Sequence, residues 1–307
     1  MPETTELKAA IIGLGRMGMH HVQACRSMPD IKLVAILDHK PEWAVHVGAE
    51  IQSSVATDVE SLMGKIDAAI IAVPTCDHST TALPLLREGI SCLVEKPIAA
   101  SEEEAESMLL AADQGGAVLQ IGHIERFNSV IDVLFKQVGP ISAIRRIKAI
   151  RHNLPQVRLY DADVVLDLMI HDLDLVSKLI ADKAGAITVI NNTSEHAVSV
   201  SFLCGDTTEI IVSADRQAEK PTRSLTVETD DTIFLANLSE QTLIKRTPSG
   251  DKEIPITRND ALSSQLRAFA DAARFRPDSG QLVGASGLDG LNALRLANRI
   301  RAEVSLL

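Results

Sequence analysis

Asp167 and His171 lie four residues apart in the apolar run VVLDLMIHDLDLV. On a helix that spacing puts both side chains on one face. A carboxylate in so apolar a run is costly unless it is paired or lines a cleft. Asp167 can orient the imidazole and favour its protonated form, which suits His171 to accept a proton from a hydroxyl. The same residues also fit a structural Asp–His contact on a half-buried helix, and spacing leaves both readings open. Asp172 and Asp174 read as helix-surface acids, and nothing supplies matching ligands for a metal site with His171. Lys96 precedes Pro97, which keeps it out of helical geometry, and stands just beyond the apolar run 90–94. It can donate to a bound hydroxyl there, or be a solvent-facing loop lysine. Arg126, with Asn128 close by in GHIERFN, Arg151, and Arg158 in NLPQVRLYDAD are candidates for holding a substrate anion. The planar guanidinium fork can bind two oxygens at once.

A second group surrounds Gly13, Gly15 and Gly18 in LKAAIIGLGRMGMH. The apolar run before them and the helix-compatible stretch after them make a strand, a tight turn and a helix. Gly13 permits the turn, Gly15 lets a pyrophosphate approach the backbone, and Gly18 lets the helix pack on the strand. Arg16 and Met17 begin the helix, whose free N–H groups and dipole favour phosphate. Asp38 falls twenty positions beyond Gly18, at the end of a second strand, where an acid can accept from ribose hydroxyls. These features predict a dinucleotide site. Asp38 repels a 2′-phosphate, which predicts NAD over NADP, tempered by the neighbouring His39 and Lys40. In open α/β sheets ligands bind beyond the carboxyl ends of the strands. Pro74, Thr75 and His78 occupy that edge after one strand, and Glu95 and Lys96 after the next. His78 fits equally an ordinary helix N-terminal position. His20, His21, His39 and His46 read as structural or exposed.

The elements that must position these groups alternate through Gly122. Strands are expected at 7–12, 31–37, 51–55, 67–73, 90–94 and 117–121. Helices fall between them, including one near 58–63 and one capped by Ser101 with Glu104 three residues on. Alternation of this kind implies a doubly wound parallel sheet. Beyond Gly122 the pattern changes. Helices are expected at 126–137 and, as one long apolar element, at 163–181. A strand is expected at 141–151, and six more between 186 and 246, joined by short turns that imply an open, largely antiparallel sheet. Helices at 259–275 and 288–304 close the chain. The fold class is therefore α/β: an N-terminal Rossmann domain over 1–122 and a C-terminal α+β domain over 123–307, whose last helix packs back on the first domain.

With 307 residues, 46% hydrophobic and 23% charged, the chain supports two domains and a sizeable core. Its net charge of −11 argues against nucleic-acid binding. No run is long and apolar enough to span a membrane, and the start MPETTELK is not a signal peptide. Four scattered cysteines read as buried reduced thiols in a cytoplasmic protein. The open sheet offers a surface for an expected homo-oligomer, dimer or tetramer.

Taken together, GLGRMG, AVPT, EKP, GHIERFN and DVVLDLMIHDLDLV resemble the Gfo/Idh/MocA family over the whole chain and in the same order. EKP with D-x-x-x-H is specific to that family, whereas G-x-G-x-x-G is not. The resemblance implies NAD(P)-linked oxidation of a sugar or polyol hydroxyl. It makes Lys96 the motif lysine, His171 the catalytic histidine and Asp167 its partner acid. The motifs are most similar to those of bacterial members acting on UDP-N-acetyl sugars. This implies the 3-hydroxyl of UDP-N-acetylglucosamine as target, in the oxidative step before amination that leads to an amide-linked lipid A precursor. Ser129 departs from the proline that relatives often carry. The rival readings are another UDP-sugar, inositol or imine substrate, and a non-catalytic NAD-binding sensor. Intact Lys96, Asp167 and His171 argue against the sensor.

Overall fold

The computed structural model describes residues 6–156, 162–180, 184–205, 207–276 and 282–305. In chain order the first part holds β1 (Leu7–Ile12), α1 (Arg16–Arg26), β2 (Ile31–Leu37), α2 (Pro41–Ile51), β3 (Ser54–Val55), β4 (Ala68–Ile71), α3 (His78–Arg87), β5 (Ser91–Val94), α4 (Glu102–Gly115) and β6 (Leu119–Ile121). There follow α5 (Ser129–Val138), β7 (Ile144–His152), α6 (Ile170–Ile180), β8 (Ala184–Ser194), β9 (Ala197–Cys204), β10 (Thr208–Asp215), β11 (Thr222–Thr229), β12 (Ile233–Asn237), β13 (Thr242–Thr247) and β14 (Gly250–Ile254). The chain closes with α7 (Ala261–Phe275), β15 (Ala285–Ser286) and α8 (Gly287–Ser305). Two compact units form: residues 1–123 with 262–291, and residues 124–261 with 292–307. The expected second domain, 123–307, thus gives up 262–291 to the first unit.

In the first unit the strand order is β3-β2-β1-β4-β5-β6-β15, parallel except for β15 against β6. This is the doubly wound Rossmann order with one antiparallel edge strand added. The runs AAII and SCLV are buried throughout, as strands covered on both faces must be. Ser101 caps α4 in a complete capping box: its Oγ accepts from Glu104 N, and Glu104 Oε2 accepts from Ser101 N. α7 shares a core with β1 and α1 through Leu266, Phe269 and Ala270 against Ile11, Val22 and Met28. Two of its arginines, Arg267 and Arg274, reach Asp30 Oδ2 at 2.8 and 3.1 Å. The strand expected at 51–55 shrinks to Ser54–Val55, because Ile51 completes α2 and Gln52 ends it in the left-handed region at φ 57°. The helix expected at 58–63 is a single 3₁₀ turn, Glu60–Leu62.

The second unit is built on an eight-stranded sheet in the order β14-β13-β12-β11-β7-β10-β9-β8. All its pairs are antiparallel except β7 with β10. Alternating burial along β9, β10 and β12 gives one covered face and one open face. β14, sequence GDKEI, carries no apolar alternation and was not anticipated. The long helix expected at 163–181 is divided. Val165–Met169 winds as a π-helical turn, with Ile170 N–H donating to Val165 O, before α6 continues as an α-helix. The helix expected at 126–137 is also divided, into a 3₁₀ turn (Ile124–Phe127) and α5.

Candidate functional site

In the first unit the glycine turn joins β1 to α1. Gly13 has φ +93°, and a Cβ there would lie 2.5 Å from Ala72 O. A Cβ on Gly18 would lie 1.8 Å from Gly13 O, so α1 can pack this closely only on a residue with no side chain. Gly15 is exposed, with nothing within 4 Å of where its Cβ would be. Among the described residues no side chain caps α1, and its first turn holds no acid, so the helix start at Arg16 and Met17 keeps its N–H groups and the positive end of the helix dipole for a ligand. A dinucleotide pyrophosphate fits this turn.

Asp38 shapes the same turn. Its Oδ2 accepts from Leu14 N at 2.7 Å and its Oδ1 from Lys40 N at 2.9 Å. His39 Nδ1 lies 3.1 Å from Oδ1. From α2, Trp43 Nε1 donates to Leu14 O at 3.0 Å. Leu14 is therefore held on both its N–H and its carbonyl. Trp43 thus shapes the site, although an isolated Trp in a helix carries no motif in the sequence.

β4 and β5 are parallel neighbours with Ile71 level with Val94, so Pro74 and Thr75 follow one carboxyl end of the sheet and Glu95 and Lys96 the next. His78 stands at this edge but is turned inward and buried. Its Nδ1 lies 2.9 Å from Pro97 O and its Nε2 3.1 Å from Val73 O. Burial pushes its pKa below the ordinary value, against the opposing pull of those carbonyls and Glu95. With both ring nitrogens on backbone carbonyls, His78 braces the loops after the two strands, which fits its helix N-terminal alternative and not the ligand contact. Glu95 Oε1 pairs with Nε2 of the buried His21 at 2.8 Å. Burial pushes the Glu95 carboxyl up, but the hydrogen bond and charge of His21 and the charge of Lys96 hold it below the usual carboxylate value. Cys76, expected to be buried, is exposed in the turn after Pro74.

In the second unit, Asp167 sits within the π turn and His171 in the first turn of α6. Both are half-buried. The wider turn changes the angular relation that a spacing of four has in a plain α-helix. Asp167 Oδ2 lies 3.5 Å from Nη1 of Arg216, a buried residue just past β10. Arg216 also donates to Ala162 O at 2.9 Å and Glu195 O at 3.2 Å. Asp163 stands just before the turn, and its Oδ1 accepts from Val165 N and Leu166 N at 2.9 and 3.1 Å.

Three residues proposed to read a substrate anion are committed elsewhere. Arg126 forks onto Asp174, with Nε 2.8 Å from Oδ2 and Nη2 2.7 Å from Oδ1. Arg151 is buried between two acids, donating to Asp172 at 2.8 and 2.9 Å and to Glu125 Oε1 at 2.8 Å. Burial works against its charge, but Asp172 and Glu125 push its pKa up. Asn128 caps α5 and donates to Glu125 Oε2 and Leu238 O. Asp172 and Asp174, expected on the helix surface, are 1% and 0% exposed. A buried carboxylate persists when it is paired, and cations from β7 and the Ile124–Phe127 turn supply the pairing. Arg158 lies outside the described residues.

Residues 7–123 match the model of an oxidoreductase family with an NAD-binding Rossmann fold, Gfo/Idh/MocA. Over 97% of both chains the protein is 29% identical to UDP-N-acetylglucosamine 3-dehydrogenase of Acidithiobacillus ferrooxidans. A solved structure of that enzyme has a TM-score of 0.88 to this chain at 26% identity, again covering 97% of each. The scyllo-inositol 2-dehydrogenase (NAD(+)) of Bacillus subtilis is 24% identical, covering 88% of this chain and 86% of its own. With the glycine turn, the strand-end Lys96 and the second unit's sheet all in place, the chain is similar to the Gfo/Idh/MocA oxidoreductases: the family model matches residues 7–123, and the likeness to the Acidithiobacillus enzyme runs through 97% of both chains.

Proposed function

We propose that the protein uses NAD to oxidise a sugar hydroxyl, and that its substrate is the 3-hydroxyl of UDP-N-acetylglucosamine. The carrying observation is a likeness to UDP-N-acetylglucosamine 3-dehydrogenase that runs through 97% of both chains. Lys96, Asp167 and His171 are all present in the chain. Bound NAD supplies the hydride acceptor. The half-buried His171 accepts the hydroxyl proton. Asp167 orients that imidazole, with its own carboxylate held by Arg216. Lys96 donates to the hydroxyl oxygen and stabilises the negative charge that develops there. Asp38 favours NAD, because its locked carboxylate accepts from a 2′-hydroxyl and repels a 2′-phosphate. Arg158 remains the candidate for the diphosphate, in place of Arg126.

On this reading the product is a 3-keto sugar made in the cytoplasm and consumed by amination on the way to an amide-linked lipid A precursor. Self-association through the open face of the second sheet belongs to the same reading. Ile150, Leu203, Ile211 and Leu235 stand there among serine, threonine and charged residues such as Lys148 and Glu209. The test is NADH formation at 340 nm. UDP-N-acetylglucosamine with NAD should turn over, free N-acetylglucosamine should be much poorer, and NADP should give a lower kcat/KM. Turnover of scyllo-inositol with none of the nucleotide sugar would replace the substrate assignment. Equal turnover of the free sugar would refute the use of the diphosphate for binding energy.

A further inference from the structure

His21 lies one turn into α1, the helix whose N-terminus faces the proposed phosphate site. It is 0% exposed, and its Nε2 is 2.8 Å from Glu95 Oε1. A carboxylate oxygen only accepts, so the ring donates through Nε2. The other nitrogen, Nδ1, is buried and has no hydrogen-bond partner among the described residues, so the Glu95 contact is what accounts for an imidazole at this depth. Glu95 Oε2 faces the backbone N–H of Lys96 at 3.4 Å. A Cβ on Gly122, at the end of β6, would lie 2.9 Å from that oxygen. The carboxylate is thus enclosed by α1, by the Lys96 backbone and by the end of β6. His78, from α3, also interacts with its charge.

We propose that His21 is a positioning residue for Lys96. It fixes the Glu95 carboxylate as the counter-charge beside the lysine and ties the Lys96 loop to the glycine-turn helix. The geometry is specific: one donor, one acceptor, and a glycine where any side chain would displace the acceptor. The inference rests on the assignment of Lys96 to the reacting hydroxyl.

The test compares His21→Leu with His21→Gln, whose amide N–H can still donate to Glu95. Each is made in the wild-type and Lys96→Met backgrounds. His21→Leu should lower kcat about tenfold or more while the NAD Kd, from calorimetry, changes less than about threefold. His21→Gln should restore most of the rate. In the Lys96→Met background His21→Leu should cause no further loss of kcat, because the residue it positions is gone. Full additivity there, or a folded His21→Leu protein with wild-type kcat, overturns the role of His21. Wild-type kcat in Lys96→Met instead overturns the assignment of Lys96 itself.

A second readout needs no turnover. Acylation of Lys96 at pH 8 in the NAD-free protein is quantified by mass spectrometry against the other lysines. An unanchored Glu95 stands beside the ammonium less of the time, so His21→Leu should raise the relative rate about threefold or more. If His21→Leu does not fold, Glu95→Gln removes the counter-charge directly and should give the same acceleration. An unchanged Lys96 rate in either folded variant overturns the proposal.

Discussion

Arg126→Met separates a buried ion pair from a substrate contact. The Arg126 side chain is 4% exposed and that of Asp174 1%. Three hydrogen bonds of 2.7 to 3.1 Å join them. Methionine keeps most of the apolar stem of arginine but leaves the Asp174 carboxylate buried without this partner. Stranding one member of such a pair costs about 3–5 kcal/mol. Against a typical total of about 5–15 kcal/mol, that is a large fraction, and about two to four decades in the folded-to-unfolded ratio. The double variant Arg126→Met/Asp174→Leu removes both charges and the desolvation cost with them. It should lie within about 1 kcal/mol of wild type, or above it. Arg126→Lys should fall between, because an ammonium cannot make the forked contact. Urea unfolding at pH 7 followed by circular dichroism measures all three. Refutation would be an Arg126→Met protein as stable as wild type whose KM for the nucleotide sugar rises tenfold or more. That result would return Arg126 to the substrate.

Gly18→Ala should abolish measurable NAD binding by calorimetry. Its Cβ would start 1.8 Å from Gly13 O, and the turn must open by about 1 Å or more to relieve the clash; retained wild-type affinity would show that the turn does not hold the cofactor. His171→Ala should lower kcat by about 10²–10⁴-fold with NAD affinity unchanged, and a folded variant with near wild-type kcat would leave the Asp167–His171 pair structural. Stability should fall on acidification in two windows. Burial holds His78 below its ordinary 6.5, so the stability it contributes is complete above pH 6.5 and declines below, where the unfolded chain takes a proton that the folded one refuses. Burial acts to raise Asp30, but its own backbone N–H, Arg274 and Arg267 outweigh this and hold it below 3.8. Its contribution is therefore present above pH 3.8 and lost as pH falls through the depressed value. His78→Gln should flatten the first window and Asp30→Asn the second in denaturation curves measured from pH 7.5 to 3; unchanged slopes would contradict these assignments.

Local chemistry was enough to read the parallel strands β1, β2, β4, β5 and β6 and the glycine turn of the first unit. Buried parallel strands are continuous apolar runs, glycine is required where a Cβ would meet backbone, and Ser101 with Glu104 closes a cap within one turn of chain. The positions of Gly13, Gly18, Asp38, Glu95 and Lys96 follow from such short-range rules. The same rules saw β9 to β13 through their alternation, but not β14, which has none.

Only tertiary structure decided the partners of the charges. Asp172 and Asp174 look like solvent-facing acids on a helix, and Arg126 and Arg151 look like available cations, until the fold brings together groups 48 and 21 residues apart. His21 carries no motif, and its meaning depends on Glu95, 74 residues away. Arg216 reaches Asp167 only because β10 ends beside the π turn, and that turn is itself invisible to a helical period. Sequence alone specifies which residues can be helical, extended or turning, because those preferences are set within a few bonds. Which carboxylate is paired, which histidine is turned inward and which arginine is free to meet a substrate depend on burial and on neighbours distant in the chain. Those are properties of the packed molecule.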